Sequence, residues 1–323
     1  MHASSLCPPR LRSLLAATTL VLAGCPSPEG DPPPASVDTE APTDTSSTGS
    51  GSADVDGSGT DPGSSSGSGS DSTGVDEPAT PSAGCGTPPT ETGTVELTLE
   101  VDGIDREVWL KIPGSYTGED PLPLFFNWHG AGNSAMQATT WLGVPSPGAS
   151  TALHVYPQGL GDPAGWSDQD LALFDTLAQH MADEYCVDLA KLYSIGYSAG
   201  GGFSNFLACH RGQYLAGMAL VAFGFGYPED YFASIECPSV PSLFLYGLTD
   251  SWAGYSDESR DWLLETNGCT DESTRLEDPN LPETMVCDDY SDCEDPVRIC
   301  YHFGGHEWPS TPAQTVIWGF FDP

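Results

Sequence analysis

From residue 94 onward the chain alternates short apolar runs with stretches of helical periodicity. Residues 94–101 (TVELTLEV) and 106–112 (REVWLKI) alternate apolar and polar side chains about Asp102-Gly103, which predicts a half-exposed hairpin. Leu122 to Trp128 (LPLFFNW) is almost continuously apolar, as a strand covered on both faces must be, and it runs into His129-Gly130-Ala131-Gly132-Asn133. Residues 152–156, 191–196, 217–222, 242–246 and 297–303 read as further strands. Between them, Leu171, Phe174, Ala178, Met181 and Tyr185 share one face of a helix from about Gln169 to Tyr185. A second helix opens at Tyr197-Ser198-Ala199-Gly200-Gly201 and ends near Cys209, and two more are expected over about 257–266 and 313–320. Strands alternating with helices predict an α/β fold, a mostly parallel sheet with helices on both faces.

The first quarter of the 323 residues carries no such pattern. Arg10 and Arg12, an apolar run from Leu14 to Ala23 and then small residues have the layout of an export signal, and the run is too short to span a bilayer. Leu22-Ala23-Gly24-Cys25 resembles the bacterial lipobox, which implies removal of residues 1–24, lipidation of Cys25 and a membrane tether. Residues 26–84 contain no aromatic residue, Lys or Arg, so they bury too little apolar surface to offset their ordering entropy. As a Gly/Ser-rich coil this linker would reach on the order of 40 Å. The organisation expected is therefore a signal over 1–24, a lipid-bearing Cys25 with its linker to residue 84, and one folded domain over 85–323.

The net charge of −37 excludes a nucleic-acid partner, whose backbone needs Lys and Arg to displace its counterions. Setting aside Cys7 and Cys25, eight cysteines remain at 85, 186, 209, 237, 269, 287, 293 and 300. In an exported chain they read as up to four disulfides, with a stapled excursion between 269 and 300 and the pairing left open. None has the spacing of a zinc site.

Gly196-Tyr197-Ser198-Ala199-Gly200 fits GxSxG between a strand and a helix, the context that lifts a serine Oγ onto a sharp turn above a sheet edge. Gly63-Ser64-Ser65-Ser66-Gly67 fits the same pattern but has neither strand nor helix beside it. A serine hydroxyl needs a base oriented by a carboxylate. Asp250 follows the strand at 242–246, whereas Asp257 and Asp261 fall in the first turn of an expected helix. His306 stands in a Gly-flanked loop after the last strand, whereas His302 falls inside that strand and His180 and His210 on helices. Ser198, Asp250 and His306 are therefore the expected nucleophile, acid and base. The backbone N–H of Ala199 and those of Gly130 and Ala131 are the expected oxyanion donors, with the His129 ring read as bonding locally.

Residues 124–133 (LFFNWHGAGN), 193–202 (YSIGYSAGGG), 246–250 and Gly305-His306-Glu307-Trp308-Pro309 resemble the secreted polyhydroxybutyrate-depolymerase and feruloyl-esterase group of α/β-hydrolases, which includes acetylxylan esterases. Cys186-Val187-Asp188 before the nucleophile strand, Cys209 after its helix and Gly165-Trp166 add to the likeness. The acidic, Cys-rich stretch from Asp271 to Cys300 departs from it. The resemblance implies a monomeric serine esterase, without cofactor or metal, acting on feruloyl or acetyl esters of polysaccharide, with polyester as the runner-up substrate. A serine peptidase of the propeller-bearing kind and an inactive binding module are the readings from other classes. Of the aromatic residues expected near strand ends (Trp141, Trp166, Tyr227, Tyr231, Trp252 and Trp308), Trp166, Tyr227 and Trp308 are the candidate substrate contacts.

Overall fold

The computed structural model describes residues 79–143, 151–223, 236–251, 253–279 and 281–323, all within the unit Ser72–Pro323. The signal, Cys25, most of the linker, the second GxSxG match, Tyr227, Tyr231 and Trp252 lie outside the described residues.

The expected hairpin forms from β1 (Gly93–Val101) and β2 (Ile104–Ile112). Asp102 and Gly103 both take positive φ, 50° and 80°, the backbone of a two-residue turn that matches strand twist. Beyond the hairpin, β2 pairs antiparallel with β4 (Leu153–Pro157). A parallel block follows in the order β4, β3 (Leu122–Trp128), β5 (Val187–Tyr197), β6 (Gly217–Val221), β7 (Ser242–Gly247) and β10 (Val297–His302). Two antiparallel strands, β9 (Met285–Tyr290) and β8 (Thr274–Arg275), complete ten strands in one sheet.

Successive side chains of the apolar strands go to opposite faces, so each face needs its own cover. Leu124, Phe126 and Trp128 join one buried cluster with Leu173, Phe174, Leu177 and Met181 of α2 (Asp170–Glu184) and Phe203, Phe206 and Leu207 of α3 (Ala199–Arg211). Phe125 joins the other, with Ala135 and Ala138 of α1 (Ala135–Ala138) and Ala313, Val316 and Ile317 of α5 (Ser310–Phe321). The remaining helix, α4 (Ala253–Thr266), sends Leu263 into the first cluster. This is the α/β arrangement read from the sequence, with β8, β9 and α1 as additions. The run at β9, MVCDDY, hides its strand character because Asp288 and Asp289 interrupt the apolar pattern. Both carboxylates are answered, by Arg275 at 2.6 Å and by Arg298.

All eight cysteines pair, as Cys85–Cys186, Cys209–Cys237, Cys269–Cys293 and Cys287–Cys300. The last two staple the 269–300 excursion, Cys287 and Cys300 being directly opposite on β9 and β10.

Residues 80–84, ahead of Cys85 and inside the segment assigned to the linker, are tied to the domain. Leu189 N–H donates to Thr80 O at 2.8 Å, Ser82 N–H to Val187 O at 2.9 Å and Gly84 N–H to Ala182 O at 2.9 Å. A Cβ on Gly84 would stand 2.5 Å from Tyr185 N, so only glycine lets the strap lie this close. Apolar content does not announce it, because the strap is held by these backbone hydrogen bonds and by polar side chains, Ser82 Oγ donating to Tyr185 O and Asp188 accepting from Thr80 N–H. Replacing Cys85 and Cys186 together by Ala should lower stability by about 2 to 5 kcal/mol, read by denaturant unfolding, because the bridge closes a loop of 101 residues. A midpoint matching wild type would mean that the bridge contributes nothing.

Candidate active site

The elbow at Ser198 is a strained turn. Its φ of 53° and ψ of −119° lie where a residue with a side chain rarely sits, and Ser198 N–H donates to Val221 O at 2.8 Å to hold it there. A Cβ on Gly196 would come within 2.0 Å of Gly200 O, and one on Gly200 within 2.0 Å of Trp128 O. Both glycines of the motif are thus required by backbone contact, and the second sets α3 directly against the end of β3.

His306 Nε2 stands 2.8 Å from Ser198 Oγ, and His306 Nδ1 stands 2.8 Å from Asp250 Oδ2. A carboxylate only accepts, so the proton sits on Nδ1 and leaves Nε2 free to accept from the serine hydroxyl. The Asp250 side chain is 1% exposed and that of His306 is 33%. Backbone pairing brings the two loops together, Leu248 N–H to His302 O at 2.8 Å and Thr249 N–H to Gly304 O at 3.0 Å. Gly247 permits it, since a Cβ there would lie 2.2 Å from Gly305 O. The competing acids are engaged elsewhere, with Asp257 and Asp261 paired to Arg260 on the surface of α4.

Residues 129–133 leave β3 beside the elbow, and a Cβ on Gly130 would meet the Tyr197 ring at 2.9 Å. His129 is fully buried. Its Nδ1 lies 2.8 Å from Gly130 O, and its Nε2 accepts from Gly159 N–H at 3.1 Å, so the ring does bond locally. Burial pulls its pKa down, opposed by the bond to Gly130. Trp166, expected at a substrate surface, is half-buried, packs against Trp128 and Phe203 and donates its indole N–H to His129 O at 2.8 Å. Behind this loop lies a buried ion pair, Arg106 with Asp170 at 2.6 Å. Arg106 also donates to Gln158 O, and Asp170 accepts from Ser167 N–H. The sequence gives no sign of this pair, whose members are 64 residues apart.

No family model matches the chain. Over 259 residues it is 28% identical to feruloyl esterase C of Emericella nidulans, covering 74% of this chain and 90% of that enzyme. Over 159 residues it is 32% identical to feruloyl esterase D of Neurospora crassa, covering 45% of this chain and 54% of the relative, so that match spans about half of the relative's length. The chain is a carboxylic ester hydrolase, and these likenesses support its similarity to the feruloyl-esterase group. Its fold is also that of an acetyl xylan esterase from Aspergillus awamori, with a TM-score of 0.51 over 71% of this chain and 99% of that one at 11% identity.

On the His306 side the esterase carries an aromatic wall. Tyr197, the variable residue of the motif, donates its hydroxyl to His306 O at 3.1 Å and sets its ring 5.6 Å from the imidazole. Trp141 meets Tyr197 edge-on at 5.4 Å, and Trp308 meets Trp141 at 5.9 Å. Trp308 is half-buried and its indole nitrogen has no hydrogen-bond partner among the described residues. Among those residues no group of three or more His, Cys, Asp or Glu could hold a metal, and no helix is long and apolar enough to cross a membrane.

Beneath the His306 loop, buried His302 accepts from Gly304 N–H at 3.1 Å through Nδ1. Burial pulls the pKa of His302 below 6.5, with Glu307 and Asp250 opposing. The unfolded ring binds a proton more readily than the folded one, so this residue's contribution is present above pH 6.5 and is lost as the pH falls below it. Measured against His302→Gln, whose other charges titrate alike, the esterase should lose thermal stability from about pH 7.5 to about pH 5.5. Parallel melting curves for the two proteins would refute the assignment.

Proposed function

We propose that the protein is an exported serine esterase that hydrolyses feruloyl or acetyl esters carried on polysaccharide. The observation that carries the chemistry is the unbroken hydrogen-bonded chain from Ser198 through His306 to Asp250, mounted on a strained elbow. His306 takes the Ser198 proton as Oγ attacks the ester carbonyl, and Asp250 steadies the imidazolium that forms. The tetrahedral oxyanion rests against Ala199 N–H, at the start of α3 where helical geometry leaves donors unused, and against Gly130 or Ala131 N–H. His306 then gives its proton to the leaving alcohol. Water, deprotonated by the same imidazole, attacks the acyl-enzyme and frees the acid.

The substrate class is supported by relatives bearing the name feruloyl esterase. The wall of Tyr197, Trp141 and Trp308 is suited to a sugar or phenolic ring on the side where His306 protonates the alcohol. Four disulfides fit an oxidising compartment. In this reading the lipid on Cys25 holds the enzyme at a membrane surface, with the linker as spacer.

With the full chain, methyl ferulate and acetylated xylan should both be tried beside a soluble hydroxybutyrate oligomer. Turnover of either of the first two, reduced by at least about a thousandfold in Ser198→Ala, is expected. Cleavage of the oligomer alone would move the enzyme to polyesters, and a Ser198→Ala variant as fast as wild type would sink the site. Changing Cys25 to Ser should move the protein from the membrane fraction to the soluble one, and an unchanged partition would rule out the tether.

A further inference from the structure

Two hydrogen bonds around the oxyanion loop have a consequence for catalysis that the triad does not express. In a planar trans peptide the C=O and the following N–H point in opposite directions, so whatever holds the carbonyl also aims the N–H. The peptide joining His129 to Gly130 has its carbonyl held by the Trp166 indole at 2.8 Å. That carbonyl faces the underside of α3, where a Cβ on Gly200 would stand 2.7 Å away. The next peptide, joining Gly130 to Ala131, has its carbonyl held twice, by His129 Nδ1 at 2.8 Å and by Asn133 N–H at 3.1 Å. Gly159 N–H on His129 Nε2 fixes that ring in the tautomer with the proton on Nδ1, the one able to donate to Gly130 O. Both carbonyls are therefore drawn back into the protein, and both N–H groups are turned away from it.

We infer that Trp166 and His129 are positioning residues that lock these two peptide planes, so that the loop's oxyanion donor is aimed before substrate arrives. Glycine at 130 has no side chain to bias its own dihedrals and could otherwise flip at little cost. A loop free to flip would present a carbonyl where a donor is needed, and the transition state would have to bear the reorganisation. Trp166 thereby acts through the backbone and touches no reacting atom. Its ring stays on Trp128 and Phe203.

The inference rests on the serine-esterase reading above, and the test separates the two. In the full chain, Trp166→Phe keeps an aromatic ring beside Trp128 and Phe203 while removing the donor and some ring volume. It should lower kcat about tenfold or more, leave KM for a small soluble ester within about twofold, and leave the melting temperature close to wild type. The affinity of a trifluoromethyl ketone, which forms a tetrahedral oxyanion on the serine, should fall by the same factor as kcat. His129→Asn, which keeps an N–H near the Nδ1 position, should retain more kcat than His129→Leu, and this pair gives an independent readout if Trp166→Phe is poorly folded. An unchanged kcat in Trp166→Phe, or a fall in kcat without weaker ketone binding, would overturn the peptide lock while leaving an inactive Ser198→Ala to support the triad. A Ser198→Ala variant with wild-type turnover would overturn both.

Discussion

The approach of α3 to the end of β3 is the constraint on which the site depends. Gly200 lies so close to the carbonyls of Trp128 and His129 that any Cβ would collide with backbone on both. That contact fixes where Ser198 stands relative to the loop expected to hold the oxyanion, with two backbones and no adjustable side chain between them. The same economy recurs at Gly247, which lets the His306 loop lie on the end of β7. Side chains can change rotamer under thermal motion, whereas a backbone contact at van der Waals distance can only be broken by moving a strand. The geometry of the reacting groups is thus inherited from the sheet.

Fixing the strands does not fix the loop that leaves β3, and here the fold spends polar groups in its interior. Arg106 and Asp170 are both nearly inaccessible, so each costs several kcal/mol to desolvate and is tolerable only while paired. Arg106 also donates to Gln158 O, although its Nε–H finds no partner among the described residues, Asp170 also accepts from Ser167 N–H, and Gln158 in turn accepts Ala135 N–H and lies beside His129. A hydrophobic filling of the same space would be cheaper but would take away the anchors of Gln158, which lies beside the His129 ring that holds Gly130 O. The buried polar chain therefore accounts for orientation more than for stability.

Much of this was legible in the sequence, and the reason differs between elements. Apolar runs such as Leu122–Trp128 and Ser242–Tyr246 declare strands covered on both faces because such strands have no polar side to display. Asp250 and His306 were legible because each follows such a strand in a short loop, which puts both on the edge that carries Ser198. The β9 strand was not, since its carboxylates look like solvated loop until Arg275 and Arg298 are seen opposite. Nor was the part played by Trp166 or the pairing of the cysteines, because a hydrogen bond from Trp166 to residue 129, or a bridge across 101 residues, leaves no periodic trace. The strap at Thr80–Gly84 was read as linker for a related reason, its attachment being through backbone groups and the small Ser82 hydroxyl, which add nothing to the apolar pattern.

Asp250 and His306 share one hydrogen bond yet live in different solvents, the carboxylate enclosed and the imidazole a third exposed. The difference suits two demands that conflict at a single residue. An enclosed carboxylate interacts strongly with the imidazolium because little water screens it. In the proposed reaction the base itself must meet water, since deacylation would need a water molecule at Nε2 in the place vacated by the leaving alcohol. Tyr197 reconciles the two by holding the His306 carbonyl from the backbone side, which steadies the ring without covering its reactive nitrogen. Burying His306 to the depth of Asp250 would strengthen their bond and at the same time starve the second half of the reaction.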